Sequence, residues 1–225
     1  MDLWSESFLT NLAQHYRVIT FDNRGIGGSS GPRPISMTSF AADTAALIEH
    51  LGLEKVHILG MSMGGMIAQQ LTVNHPERID RLVLGATSCA AKFIRPRLGV
   101  LAGTLFYIAP HIAIRALVSP EYLENRPDRV REMVDNIKLA SGGFKVFLDQ
   151  LNAILHFDLA AAIEVINCPT LIITGTSDKL INYENSTLLA QKIRGAELIQ
   201  FKGVGHMFPR ERAVETVAAM KAFLG

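Results

Sequence analysis

Cysteine is scarce, with only Cys89 and Cys168 in 225 residues. Two thiols make neither a disulfide framework nor a four-thiolate zinc centre. An excess of one charge is missing too. Lys and Arg number 22 against 21 Asp and Glu, a net charge of +1, and no long single-sign run occurs. That balance argues against a dedicated nucleic-acid surface, which needs clustered positive charge to neutralise phosphates. Long apolar runs are also lacking. The nearest, Leu98–Ile114, carries no formal charge, but Gly99, Gly103, Pro110 and His111 interrupt it. It falls short of a bilayer's thickness, so no stable membrane span is expected. Met1–Glu6 has neither a basic stretch nor an apolar one, and the expectation is a cytoplasmic protein without a signal peptide. No histidine pair has ligand spacing beside carboxylates, so no metal is expected. Gly25, Gly27 and Gly28 lack the Gly-x-Gly-x-x-Gly spacing and a helix directly after them, which argues against a nucleotide loop.

What remains is an ordinary globular composition, 48% apolar and 19% charged. Short apolar runs rich in β-branched residues alternate with helical patterns, the signature of βαβ units and a parallel sheet. The strands expected are Val18–Asp22, Val56–Gly60, Leu82–Ala86, Thr170–Thr174 and Glu197–Phe201. Between the first two, Phe40, Leu47, Ile48 and Leu51 recur at helical spacing and Gly52 supplies a stop. Met63, Ile67 and Leu71 mark the next helix, and Pro76 lies beyond its end. A last helix runs from about Arg212. From Cys89 to about Glu164 no strand is expected. Helical segments broken by Pro110, Pro120, Pro127 and Gly142-Gly143 interrupt the alternation there. The division expected is a core of residues 1–89 and 165–225 with a helical insertion of residues 90–164. Cys89 and Cys168 then fall at opposite ends of neighbouring strands, too far apart to bridge.

Gly60-Met61-Ser62-Met63-Gly64 lies where a strand must turn into a helix. Glycines beside a serine permit a sharp turn that presents the hydroxyl at the sheet's C-terminal edge. The amides of the following helix face any negative charge that develops beside Ser62. A serine hydroxyl needs a base, and the base needs an orienting acid. Asp178 lies four residues past Thr174, and His206 follows the last strand in Gly203-Val204-Gly205-His206. Three loops at one sheet edge thus supply Ser, Asp and His in that chain order. The other six histidines read as structural or solvated. Arg24 reads as an ion pair with Asp22 that fixes the turn after its strand. Phe93, Leu101, Leu105, Phe106, Tyr107, Ile108 and Ile112 read mainly as core between the insertion and the main domain, with a subset roofing a pocket over Ser62.

On these residues the sequence resembles the alpha/beta-hydrolase superfamily. It is most similar to the lid-bearing group with 3-oxoadipate enol-lactonases, small carboxylesterases, cofactor-free haloperoxidases and prolyl iminopeptidases. The resemblance is carried by Phe21-Asp22-Asn23-Arg24-Gly25-Ile26-Gly27-Gly28-Ser29, by the Ser62 turn with Gly65, and by His75-Pro76-Glu77-Arg78. Residues 169–178 and Gly203–His206 complete it. It implies an α/β fold with residues 90–164 as a helical lid. It also implies Ser62 as nucleophile, His206 as base, Asp178 as acid and the Met63 backbone amide as one oxyanion donor, with no cofactor. The implied activity is hydrolysis of a small carboxylic ester or lactone.

One departure stands out. The family places three strands and a His-Gly-type loop before the helix that here begins near Trp4, and only three residues precede Trp4. The second oxyanion amide is therefore unaccounted for, and losing such a donor costs about 10²–10³-fold in turnover. A catalytically impaired or purely binding module is the alternative expectation. Without the third strand, Val18–Asp22 either pairs directly with Val56–Gly60 or leaves a slot. Direct pairing would expose Val18-Ile19-Thr20-Phe21 as an apolar edge suited to a homodimer.

Overall fold

A computed structural model describes residues 4–32, 36–93, 109–140 and 143–225. Four strands, β1 (Val56–Met61), β2 (Ile79–Gly85), β3 (Thr170–Gly175) and β4 (Glu197–Phe201), form one parallel sheet in the order β1-β2-β3-β4. Around it lie α1 (Glu6–Ala13), α2 (Met37–His50), α3 (Met63–Asn74), α4 (Pro110–Leu117), α5 (Pro120–Asn125), α6 (Pro127–Ala140) and α7 (Phe144–Leu155). The remaining helices are α8 (Glu184–Lys192), the short α9 (Phe208–Glu211) and α10 (Ala213–Leu224).

Alternation along the strands builds the layers. Leu82, Leu84 and Ile172 point to one face of the sheet, where they meet Phe40 and Ile48 of α2, Ile67 and Leu71 of α3, and Leu189 of α8. Val83, Leu171 and Ile173 point to the other, against Phe8 and Leu12 of α1 and Val217, Met220 and Leu224 of α10. All six residues of β3 are buried, which fits its position inside the sheet. The helix ends follow local chemistry. Ser5 and Ser36 cap α1 and α2 by accepting from the Phe8 and Ser39 amides, each at 3.2 Å. After α2, Gly52 takes φ +67°, and the Leu53 amide donates back to Ile48.

The segment Val18–Asp22 corrects the sequence reading. It is not a strand, and no backbone hydrogen bond joins residues 17–23 to β1. Direct pairing with Val56–Gly60, one of the two outcomes expected, is not what the structure shows. Val18 packs beside the α1–α10 cluster, while Ile19 and Phe21 remain 42% and 45% exposed. A run of β-branched residues favours extended backbone, but a strand exists only where a neighbour supplies the ladder. β1, not Val18–Phe21, is therefore an edge of the hydrogen-bonded sheet among the described residues.

The ion pair expected within residues 22–24 is also corrected. Arg24 reaches Asp43 on α2 with two hydrogen bonds, Nε to Oδ2 at 2.9 Å and Nη2 to Oδ1 at 2.5 Å. Asp22 instead accepts from the Gly28 amide at 3.1 Å. A planar guanidinium matches a carboxylate on a facing helix better than one two residues away on its own turn.

Between β2 and β3 the described chain is helical, as expected. Its return, Ala153, Phe157, Leu159 and Ile163, joins the cluster around α2 and α3. Ile114, Leu117, Val118 and Met133 form a separate cluster with Met207. Leu101, Leu105, Phe106, Tyr107 and Ile108 lie outside the described residues, while Phe93 and Ile112 are 40% and 47% exposed. Cys89 and Cys168 are both free thiols. No helix among the described residues is long and apolar enough to cross a membrane.

Candidate active site

The site is built from the C-terminal ends of three strands. In the parallel register Met61 lies beside Gly85 and Gly85 beside Ile173, while Gly175 lies beside Phe201. Ser62, Asp178 and His206 each follow one of those ends.

Ser62 sits at φ 55°, ψ −123°, a backbone conformation that L-residues rarely adopt. Its surroundings impose it. The Ser62 amide donates to Gly85 O at 2.8 Å. Its carbonyl accepts from the Gly65 amide (3.0 Å), the Met66 amide (3.3 Å) and the Thr87 hydroxyl (2.8 Å). Two glycines let α3 fold back this tightly. A Cβ on Gly60 would lie 2.3 Å from the Gly64 carbonyl oxygen, and one on Gly65 would lie 2.6 Å from Thr87 Cβ. Gly64, inside the motif, has nothing within 4 Å of such an atom. Strain of this kind persists only where the environment over-determines it, and it concentrates at functional sites.

Asp178 and His206 are brought together. The His206 Nδ1–H donates to Asp178 Oδ2 at 2.7 Å, with side-chain exposures of 4% and 0%. Because a carboxylate only accepts, the proton sits on Nδ1 and leaves the Nε2 lone pair free to act as a base. The other carboxylate oxygen is fixed by the amides of Leu180 (2.8 Å) and Ile181 (2.9 Å). The two loops are sewn to each other. Thr176 N donates to Phe201 O (3.0 Å), Ser177 N donates to Val204 O (2.8 Å), and Gly203 N donates to Thr176 Oγ1 (2.9 Å).

Ser62 shares this edge without a hydrogen bond to His206, and its hydroxyl makes none to any described residue. Met61 connects the two regions. It packs among the cluster containing Phe208 and also against the one containing Met207, the residues following His206. The Met63 amide, in the first turn of α3, belongs to the N–H groups that a helix leaves without internal acceptors.

Thr87 and Glu211 are residues that sequence reasoning missed. Thr87 follows Ala86, which itself holds φ 43° and turns the chain toward Ser62. No local pattern announces either, because both act through tertiary contacts. A cleft of about 670 Å³ lies among residues 5–11, 119–129 and 203–212 and touches none of Ser62, Asp178 or His206.

The family named Hydrolase_4 (serine aminopeptidase, S33) matches residues 4–213. The chain belongs to this family. Among similar proteins, a poly(3-hydroxyalkanoate) depolymerase from Ectopseudomonas oleovorans is 34% identical over 96% of this chain and 78% of its own. A 3-oxoadipate enol-lactonase from Acinetobacter baylyi is 24% identical, covering 86% of this chain and 73% of its own. The solved enol-lactonase from Burkholderia xenovorans LB400 superposes with a TM-score of 0.87. It is 26% identical and covers 97% of this chain and 85% of its own. The parallel sheet flanked by helices is thus an alpha/beta-hydrolase fold.

Proposed function

We propose that this hydrolase-family chain is a serine hydrolase of small carboxylic esters or lactones. Ser62 is the nucleophile, His206 the general base, Asp178 the orienting acid and the Met63 amide an oxyanion donor. The observation that carries the reading is the buried 2.7 Å bond from His206 Nδ1 to Asp178, at the sheet edge that also holds the strained Ser62. A depolymerase and lactonases among the similar proteins support the substrate class.

In the reaction the Ser62 hydroxyl proton passes to His206 Nε2 as Oγ bonds to the substrate carbonyl carbon. The carbonyl π electrons move to oxygen, and the Met63 amide faces that charge. Collapse breaks the bond to the alkoxy group, which leaves with the proton from His206 Nε2. Water then repeats the sequence on the acyl-enzyme, releasing the carboxylic acid and restoring Ser62. Asp178 holds the imidazole tautomer throughout. The helices of residues 90–164 act as a lid in this reading, and the two unpaired cysteines suit a reducing cytoplasm.

A second reading, a hydrolase-fold module that binds without turning over, is favoured by the Ser62 hydroxyl's lack of a hydrogen bond to His206. Fluorophosphonate labelling separates the two. One label per chain, lost in Ser62→Ala, supports the hydrolase; ligand binding without labelling supports the module.

A further inference from the structure

Glu211 closes the short helix α9, five residues after His206, and its carboxylate takes no part in the proposed chemistry. It is nonetheless fully engaged. Oε1 accepts from the Gly205 amide at 2.9 Å and from the Ser119 amide at 3.0 Å, and Oε2 accepts from the Ser119 hydroxyl at 2.5 Å. Gly205 directly precedes His206. Ser119 caps α5, its hydroxyl accepting from the Tyr122 amide at 3.2 Å. One carboxylate therefore ties the backbone beside the base to the junction between α4 and α5.

The other flank of His206 is held by the same junction, since the Met207 amide donates to Leu117 O at 2.8 Å. Contact between the two segments is backbone on backbone. A Cβ on Gly205 would lie 2.8 Å from Val118 Cα and 2.9 Å from Glu211 Oε1. The preceding residue, Arg210, donates to Glu132 of α6 at 3.4 Å, a second link to the same insertion. Asp178 fixes the His206 ring, while Glu211 and Leu117 hold the backbone amides of the residues directly before and after it.

We propose that Glu211 is a positioning residue that couples the helical insertion to His206, so that displacing α4 and α5 displaces the base. The proposal rests on the reading of His206 as general base. Charge-assisted bonds from two amides and a hydroxyl make this a stiff connection. Removing the carboxylate leaves two largely buried amides without acceptors.

The test uses Glu211→Ala, Glu211→Gln and Ser119→Ala in the full chain. Two readouts are taken: kcat and KM on p-nitrophenyl butyrate, and the downfield proton NMR line of the His206 Nδ1–H. The expected result for Glu211→Ala is a kcat about ten- to 100-fold lower, with a smaller change in KM and a broadened line. Glu211→Gln, whose amide oxygen still accepts from Gly205 and Ser119, restores both to near wild type. Ser119→Ala falls between. A folded Glu211→Ala with wild-type kcat and an unchanged line overturns the proposal, and so does a Glu211→Gln as impaired as the alanine variant. Should Glu211→Ala not fold, Ser119→Ala with both readouts unchanged overturns it. If the wild-type protein lacks Ser62-dependent turnover, the hydrolase reading fails and the NMR line alone decides. Broadening in Glu211→Ala sustains the coupling; an unaffected or absent line contradicts it.

Discussion

His206 Nδ1 and Asp178 Oδ2 lie 2.7 Å apart with their side chains almost removed from water, while Asp178 Oδ1 is occupied by the Leu180 and Ile181 amides. The division of labour between the two oxygens makes a specific prediction. In Asp178→Asn the side-chain carbonyl keeps the two backbone donors, and the NH₂ faces His206. The imidazole must then accept at Nδ1 and carry its proton on Nε2, the wrong tautomer for a base. Ester turnover is expected to fall by about 10⁴-fold, with the thermal melt little changed. A variant within tenfold of wild type, as an order-of-magnitude threshold, would show that the tautomer is not set here.

Three glycines near Ser62 are expected to behave differently despite their proximity. Gly60→Ala and Gly65→Ala place a Cβ 2.3 Å and 2.6 Å from neighbouring atoms, the Gly64 carbonyl oxygen and Thr87 Cβ. Each should cost about 1–3 kcal/mol in urea unfolding and reduce labelling of Ser62. Gly64→Ala meets nothing within 4 Å and sits in the first turn of α3. It should be neutral or stabilising by up to about 1 kcal/mol.

The positive φ of Ser62 predicts that removing its side chain stabilises the fold while ending chemistry. Ser62→Gly should exceed Ser62→Ala in stability by about 1 kcal/mol, because glycine alone adopts φ 55° without strain. Thermal melts of the two inactive variants check this. Equal melting temperatures would mean that the turn costs nothing.

Burial pushes the thiols of both Cys89 and Cys168 above their ordinary pKa, desolvation being the largest cause in each. The folded protein therefore retains protons that the unfolded chain releases. The resulting contribution to stability is intact below the unfolded thiol pKa and is lost as pH rises from there through the folded values. At about pH 8, where an exposed thiol is partly ionised, a disulfide reagent should label both cysteines slowly in the native protein. Labelling should be fast in denaturant.

Much of the fold is legible in the sequence because it depends on local pattern. The runs at Val56, Thr170 and Glu197 become β1, β3 and β4, and the glycine-flanked serine becomes the turn between β1 and α3. Ser62, Asp178 and His206 are legible as members of three strand-end loops. Val18–Asp22 has the composition of a strand, whereas pairing is decided by a neighbour that the pattern does not contain. Arg24 finds Asp43 rather than Asp22 for a related reason, since α2 brings a distant carboxylate into better geometry. Glu211 is the extreme case, bound to Ser119 across 92 residues of chain with no periodicity linking them.

The most direct measurement is hydrolysis of p-nitrophenyl butyrate by the purified chain beside its Ser62→Ala variant, with fluorophosphonate labelling of both. Turnover and one label per chain in the wild type, both absent from the variant, are the predicted result. Equal background rates in the two proteins with no labelling of Ser62 would contradict the assignment of Ser62, His206 and Asp178 as a working hydrolase.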